Sequence, residues 1–197
     1  MIATRFDAAT HTYFISERPV PSVTQVLRDL LPGWQASEWH MQRGSAVHAC
    51  AAMVARGQTF EHDPRIAGQV EAVRRFFWEI RPTVLAVEMP VFSVPYQYGG
   101  TMDLACLIDG KATIADFKAS LTPATIYQCA AYALPYKGWK QWSGVGVEIR
   151  DDGTYQLSER YPFTQRLINE WLALLTTYRV RQRLGVTTNG GGEHGNN

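Results

Sequence analysis

Apolar residues recur along this chain with two periods, and the switches between them predict its elements. Ile66, Val70, Val73, Phe77 and Ile80 return every three to four residues and predict an amphipathic helix over 64–81, with Asp63 as N-cap. A smaller apolar face from Ala46, Val47, Cys50 and Met53 predicts a helix over 43–56, ended by Gly57. Ser22 is placed to cap a short helix opening at Pro21-Ser22-Val23, and Pro123 sits in the first turn of a helix over 122–136. A long amphipathic helix covers 163–184.

Elsewhere the period falls to two. Residues 1–20, with Tyr13, Phe14 and Ile15, predict a small hairpin, and 84–92 predicts a strand that carries Glu88 in an apolar run. Residues 143–150 and 154–161 predict a second hairpin around Asp151-Asp152-Gly153. The central feature is a third hairpin, 104–108 and 111–118, joined by Asp109-Gly110, whose residues tolerate the positive φ angles of a type I′ turn. A two-residue loop there pairs Ile108 with Lys111, Leu107 with Ala112, Ala105 with Ile114 and Asp103 with Asp116. This order of elements predicts an α/β (α+β) fold, a sheet flanked by helices, in a single domain over 1–186. Residues 187–197, with three consecutive glycines, are expected to be a disordered tail.

The paired aspartates carry the chemistry. Opposed residues on an antiparallel ladder have β-carbons about 4.5–5.5 Å apart, and like charges there repel. One acid must be protonated, or a cation must lie between them. Lys118 follows Asp116 by two residues, so strand alternation returns it to the same face. Two acids and a lysine suit phosphodiester hydrolysis around a hard divalent ion, with Lys118 orienting or deprotonating the water. A surface hairpin with a salt bridge is the plainer alternative. Glu88 belongs to the same problem, since a carboxylate in an apolar strand is costly unless paired or metal-bound.

Composition adds limits. At 197 residues the chain fits one domain, large enough to bury about 70 % of its unfolded surface. No apolar run approaches the ~20 residues that span a bilayer, and the N-terminus has no signal pattern, which predicts a cytoplasmic protein without membrane contact. Cys50, Cys106 and Cys129 are few, odd in number and widely spaced, as expected of reduced, buried thiols. With 19 basic and 18 acidic residues the net charge is +1, so bulk charge gives no support for nucleic-acid binding. Local candidates for DNA contact are Arg43, Arg74 and Arg75, and the segment Lys137, Trp139 and Lys140, where basic and aromatic residues interleave. The alternatives are a solvated helix face for the arginines and aromatics that anchor a loop to the core.

Gly100-Thr101-Met102-Asp103 and Asp116-Phe117-Lys118 resemble the Gly-x-x-Asp and (Asp/Glu)-x-Lys elements of the PD-(D/E)XK nuclease superfamily. Gln128-x-x-x-Tyr132, and His48 within Arg43-Gly44-Ser45-Ala46-Val47-His48, resemble its RecB-type branch, shared by phage exonucleases and CRISPR-associated accessory nucleases. The four elements stand in the family's order and spacing, and the resemblance covers most of 21–160. It implies a restriction-endonuclease-like core with a central mixed sheet. It further implies Mg2+ or Mn2+ bound by Asp103, Asp116, the backbone carbonyl of Phe117, His48 and, as a candidate, Glu88. Lys118 would position the water, and Gln128 and Tyr132 would contact the substrate backbone, the lysine or the water. Three cysteines are too few for the four-cysteine iron–sulfur cluster of some relatives, and none is expected. The implied activity is a DNA exonuclease in phage or mobile-element recombination or repair, with a helicase or a single-strand annealing protein as possible partner and a homo-oligomer as possible form. The alternatives are a site-specific endonuclease, or a non-catalytic DNA-binding or protein-docking module on the same fold.

Overall fold

Alternation at the N-terminus produces a three-stranded antiparallel meander rather than a hairpin: β1 (Thr4–Asp7), β2 (Thr12–Ile15) and β3 (Arg18–Val20). The extra strand follows a tight turn at Ser16-Glu17, where both residues take positive φ, 50° and 57°. Such turns usually announce themselves with glycine or asparagine, and this one does not. The computed structural model describes residues 2–31, 38–136 and 139–186, with backbone alone for 38–43. The expected tail of 187–197, Lys137 and the side chain of Arg43 lie outside the described residues.

Helix α1 (Val23–Leu30) opens with the capping expected of Ser22: its Oγ accepts from the Gln25 N–H at 3.1 Å, and Gln25 Oε1 accepts from the Ser22 N–H at 2.8 Å. Helix α2 (Glu38–Ala55) starts five residues before the predicted boundary and ends ahead of Gly57, whose φ is 65°. Asp63 caps a 3-10 turn, Pro64–Ile66, and the α-helical part follows as α3 (Ala67–Ile80). Then come β4 (Thr83–Ser93), β5 (Tyr98–Ile108), β6 (Lys111–Lys118), α4 (Ala124–Ala133), β7 (Ser143–Ile149), β8 (Tyr155–Leu157), β9 (Tyr161–Pro162) and α5 (Gln165–Leu184).

The second sheet has the order β4-β5-β6-β7-β8, with β9 pairing the other end of β7. Strands β4, β5 and β6 are antiparallel, and β7 runs parallel to β6 after the α4 crossover. The fold is therefore a mixed central sheet flanked by helices. The Asp109-Gly110 turn has φ of 51° and 72°, and Ile108 faces Lys111, Leu107 faces Ala112 and Ala105 faces Ile114. The two-residue loop fixes this register because any slip would turn the apolar side chains to the wrong face.

Each face of the sheet carries its own core. On one, α1, α4 and α5 pack Val26, Ala130, Ile168 and Trp171 against Tyr98, Ala105 and Ile114. Trp171 meets Tyr98 edge to face at 5.2 Å, and the Tyr98 hydroxyl donates to the Ala131 carbonyl at 2.7 Å. On the other, α2 and α3 pack Cys50, Val70, Val73 and Phe76 against Leu104, Cys106, Ala115 and Phe117. All three cysteines are free and buried. Among the described residues, no helix is long and apolar enough to cross a membrane.

Phe76 is the hub of the second core, fully buried and in edge contact with Phe77, Phe117 and Tyr155 at 5.2–5.6 Å. Phe76→Ala is expected to lower the unfolding free energy by about 3–5 kcal/mol. Urea titration reads this directly, and a loss under ~1 kcal/mol would show that the site collapses freely.

Candidate active site

The ladder between β5 and β6 stops at Leu104 opposite Ala115. One step further it would bring Asp103 face to face with Asp116. Instead the N–H of Phe117 donates to Asp103 Oδ2 at 2.8 Å. The strand thus gives up backbone pairing to anchor a carboxylate. On the other side, pairing between β4 and β5 passes from Val87–Leu104 to Met89–Met102, which leaves Glu88 and Asp103 as the skipped step. Glu88 takes φ of 47°, an uncommon value for a non-glycine residue and a local strain. The acids of three neighbouring strands gather in this one band of the sheet.

Helix α2 adds His48. Its Nδ1 lies 3.2 Å from Asp103 Oδ1 and 3.9 Å from Glu88 Oε1. One ligand atom from each of His48, Glu88 and Asp103 falls within 4.8 Å of the others. Asp116 lies outside that tight group: its Oδ2 is 2.8 Å from Lys118 Nζ. Asp116 is completely buried; its Oδ2 has the Lys118 ammonium, and its Oδ1 has no hydrogen-bond partner among the described residues. A buried carboxylate so poorly satisfied is expensive, and a cation would relieve it. Oxygen donors with one imidazole nitrogen match magnesium or manganese, so the residues present fit the ion.

Electrostatics sort these groups. Burial raises the Glu88 carboxyl to about 7, Asp103 adding to the effect and His48 opposing it. Burial also raises Asp116, to about 6, against the pull of Lys118. Asp103 is buried too, but the charge and hydrogen bond of His48 outweigh burial and hold it below the usual carboxylate value. Burial opposes the charged forms of His48 and Lys118, yet Asp103 and Asp116 respectively overcome it, and both are raised. Like charges have been split, one acid low and two high.

Gln128 and Tyr132, one turn apart on α4, are both buried, and Gln128 Nε2 donates to the Tyr132 hydroxyl at 2.8 Å. Among the described residues, Gln128 Oε1 has no hydrogen-bond partner. Burial and the charges of Asp116 and Asp103 push Tyr132 well above its ordinary value. Gly100 makes the approach possible: a Cβ there would sit 2.5 Å from the Tyr132 ring.

The fold is similar to that of an alkaline exonuclease, LHK-Exo, from Laribacter hongkongensis, with a TM-score of 0.48, 13 % identity, and coverage of 84 % of this chain and 88 % of that one. LHK-Exo in complex with dAMP gives a TM-score of 0.48 and 14 % identity, over 85 % and 89 %. No family model matches the chain. No curated protein matches it either.

Among the described residues, the two groups expected to contact DNA, Arg74 with Arg75 and Trp139 with Lys140, lie apart from one another. Arg74 lies over the Phe60 ring, 5.4 Å from its centroid, and Arg75 is paired with Glu79 at 2.6 Å. Trp139 packs against the core, and Lys140 lies 5.7 Å from its ring centroid. Phe117 meets the acids through its N–H, and its ring is in the core. Two neighbours of the site gave no sequence signal. Cys129, one residue past Gln128, feels the charges of Asp116 and Lys118, and Tyr13 reaches Thr101 from the N-terminal meander.

The pKa pattern has a consequence for stability. Glu88, Asp116 and His48 all bind protons more tightly folded than unfolded. Their contributions are full below the unfolded values and are lost as pH rises through the folded ones. Asp103 is the opposite case, its contribution disappearing only under acid conditions. The metal-free protein should therefore lose stability between about pH 5 and pH 8. Added magnesium or manganese should abolish that decline by replacing the protons. Urea midpoints at both pH values, with chelator and with metal, check this, and a rise in the metal-free midpoint would contradict it.

Proposed function

We propose that the chain is a metal-dependent DNA exonuclease of the PD-(D/E)XK type. The observation that carries this reading is the convergence of His48, Glu88, Asp103, Asp116 and Lys118, supplied by α2, β4, β5 and β6, with Gln128 and Tyr132 of α4 beside them. In a structural salt-bridge cluster the acids would be satisfied by their own partners. Here Asp116 is buried with Oδ1 left without a hydrogen-bond partner among the described residues.

Asp103, Asp116, Glu88 and His48 would hold a magnesium or manganese ion, with the Phe117 carbonyl as a further oxygen. Such an ion supplies positive charge opposite a phosphate and eases deprotonation of the attacking water. Lys118 is held by Asp116, and once that carboxylate is otherwise neutralised the ammonium is available to orient water and to meet charge building on the phosphoryl oxygens. Gln128 fixes the Tyr132 hydroxyl, and by the motif resemblance the pair would contact the substrate backbone, Lys118 or the water.

The Gln-x-x-x-Tyr element and the upstream histidine support the exonuclease branch over a site-specific endonuclease. DNA as substrate, a role in phage or mobile-element recombination or repair, and a helicase or annealing protein as partner rest on the resemblance of the motif set. The single domain over 1–186 is part of the same proposal.

The test is degradation of end-labelled linear DNA beside covalently closed circles, with magnesium, manganese or chelator. Metal-dependent loss of the linear forms alone is the expected result; cutting of circles would make the enzyme an endonuclease. Lys118→Ala should lower kcat by about 10²–10³ while keeping the metal affinity measured by calorimetry, and wild-type turnover in this variant would remove the assigned role. Asp116→Asn should weaken metal binding itself, and unchanged affinity would refute Asp116 as a ligand.

A further inference from the structure

The N-terminal meander takes no part in the mechanism above, yet it delivers a hydroxyl to the edge of the site. Tyr13 is 1 % exposed. Its ring lies so close over Gly99 that a Cβ there would fall 2.6 Å from it. The phenol oxygen ends 2.8 Å from Thr101 Oγ1 and 3.4 Å from His11 Nε2. Phe6 stacks on the Tyr13 ring at 4.7 Å and meets His11 edge to face at 5.2 Å, which fixes the arrangement. Thr101 precedes Asp103 by two residues on β5, a distance of about 6.5 Å along the strand. That is a step comparable with the separation of successive phosphates along a nucleic-acid strand.

The three groups have more donors than they use. Threonine and tyrosine each carry one hydroxyl proton and neutral histidine one ring proton, while only two contacts join the three. Among the described residues, at least one donor is left for a ligand. The outer members face it: Thr101 is partly exposed and His11 exposed. No carboxylate belongs to the group, although the acids of the metal site lie just along the strand. Burial, with the charges of Glu88 and Asp103, pushes the Tyr13 phenol up to about 12, so it keeps its proton. Burial also lowers His11, which favours the neutral imidazole. Uncharged donors beside a cation-binding site suit the oxygens of a phosphodiester, which brings its own negative charge.

We infer that Thr101 and His11 hold the phosphodiester next to the one cleaved, with Tyr13 as the positioning residue that links and orients them. The inference rests on the nuclease reading and extends it: the meander sets where along the strand the scissile bond falls. His11 itself takes φ of 50° in the turn between β1 and β2, a strained placement that suits a residue held for contact.

The test compares the wild type, Thr101→Val, Tyr13→Phe and Lys118→Ala on a short end-labelled oligonucleotide. The same strand is also made with one uncharged methylphosphonate at either linkage flanking the one cleaved. Thr101→Val should raise KM about tenfold, the loss of one hydrogen bond to a charged group, with kcat within about twofold. One methylphosphonate position should raise the wild-type KM by a similar factor and add nothing to Thr101→Val. Tyr13→Phe, which keeps the ring over Gly99, should show the same insensitivity with a smaller KM change. Manganese affinity should be equal in these two variants and the wild type. A wild-type KM in Thr101→Val, a methylphosphonate penalty undiminished in it, or weakened manganese binding would overturn the inference. If the wild type leaves DNA intact, as Lys118→Ala is expected to, the nuclease reading itself has failed. Cleavage by the wild type alone leaves the variants to decide this proposal separately.

Discussion

Crowding of negative charge on one band of a sheet is the constraint around which this structure is arranged. Three carboxylates from neighbouring strands lie where solvent is largely excluded, and each addition makes the next more costly. The fold answers locally in three ways. Asp103 takes a backbone N–H and an imidazole, Asp116 takes an ammonium, and Glu88 retains its proton to higher pH. None of these fully discharges the site, and the remaining deficit is what a bound cation would relieve.

Room for this arrangement comes from what the chain omits. Gly99 and Gly100 leave two notches in β5, one filled by the Tyr13 ring from the meander and the other by the Tyr132 ring from α4. An alanine at either place would push an aromatic ring, and with it a hydroxyl, out of position. The glycines at the start of the motif act through the clearance they give to side chains from distant parts of the sequence. Neither has a positive φ among the backbone angles that stand out.

Much of the site was legible because its centre is local. A two-residue turn sets Asp103 and Asp116 one step past the last rung of the ladder, alternation returns Lys118 to the side of Asp116, and helical spacing puts Gln128 beside Tyr132. The register of the hairpin follows from the turn alone, down to the pairing of Ala105 with Ile114. What sequence periodicity cannot show is a departure from regular structure. The ladder ends one step short of the facing aspartates, Glu88 adopts left-handed backbone, and Ser16-Glu17 makes a tight turn without the usual residues. Each is a tertiary outcome that overrides a local preference. The link from Tyr13 to Thr101 spans 88 positions, and no window of sequence connects them. Of the arginines suggested for DNA contact, Arg75 is paired with Glu79 on the surface of α3, a partner that helical spacing of four residues already allows.

The β5–β6 hairpin closes through the shortest loop in the sheet, whereas the parallel pairing of β6 with β7 must wait for the α4 crossover. Contacts close in sequence cost least entropy to form and tend to come first on the folding route. The two aspartates would thus meet while water still surrounds them, and their repulsion is screened at that stage. The penalty falls later, when α2 and α4 dock and seal the band. On such a route assembly would be staged: the chain would commit to its carboxylate geometry early, and leave the dehydration to the step that also brings His48, Gln128 and Tyr132 into place.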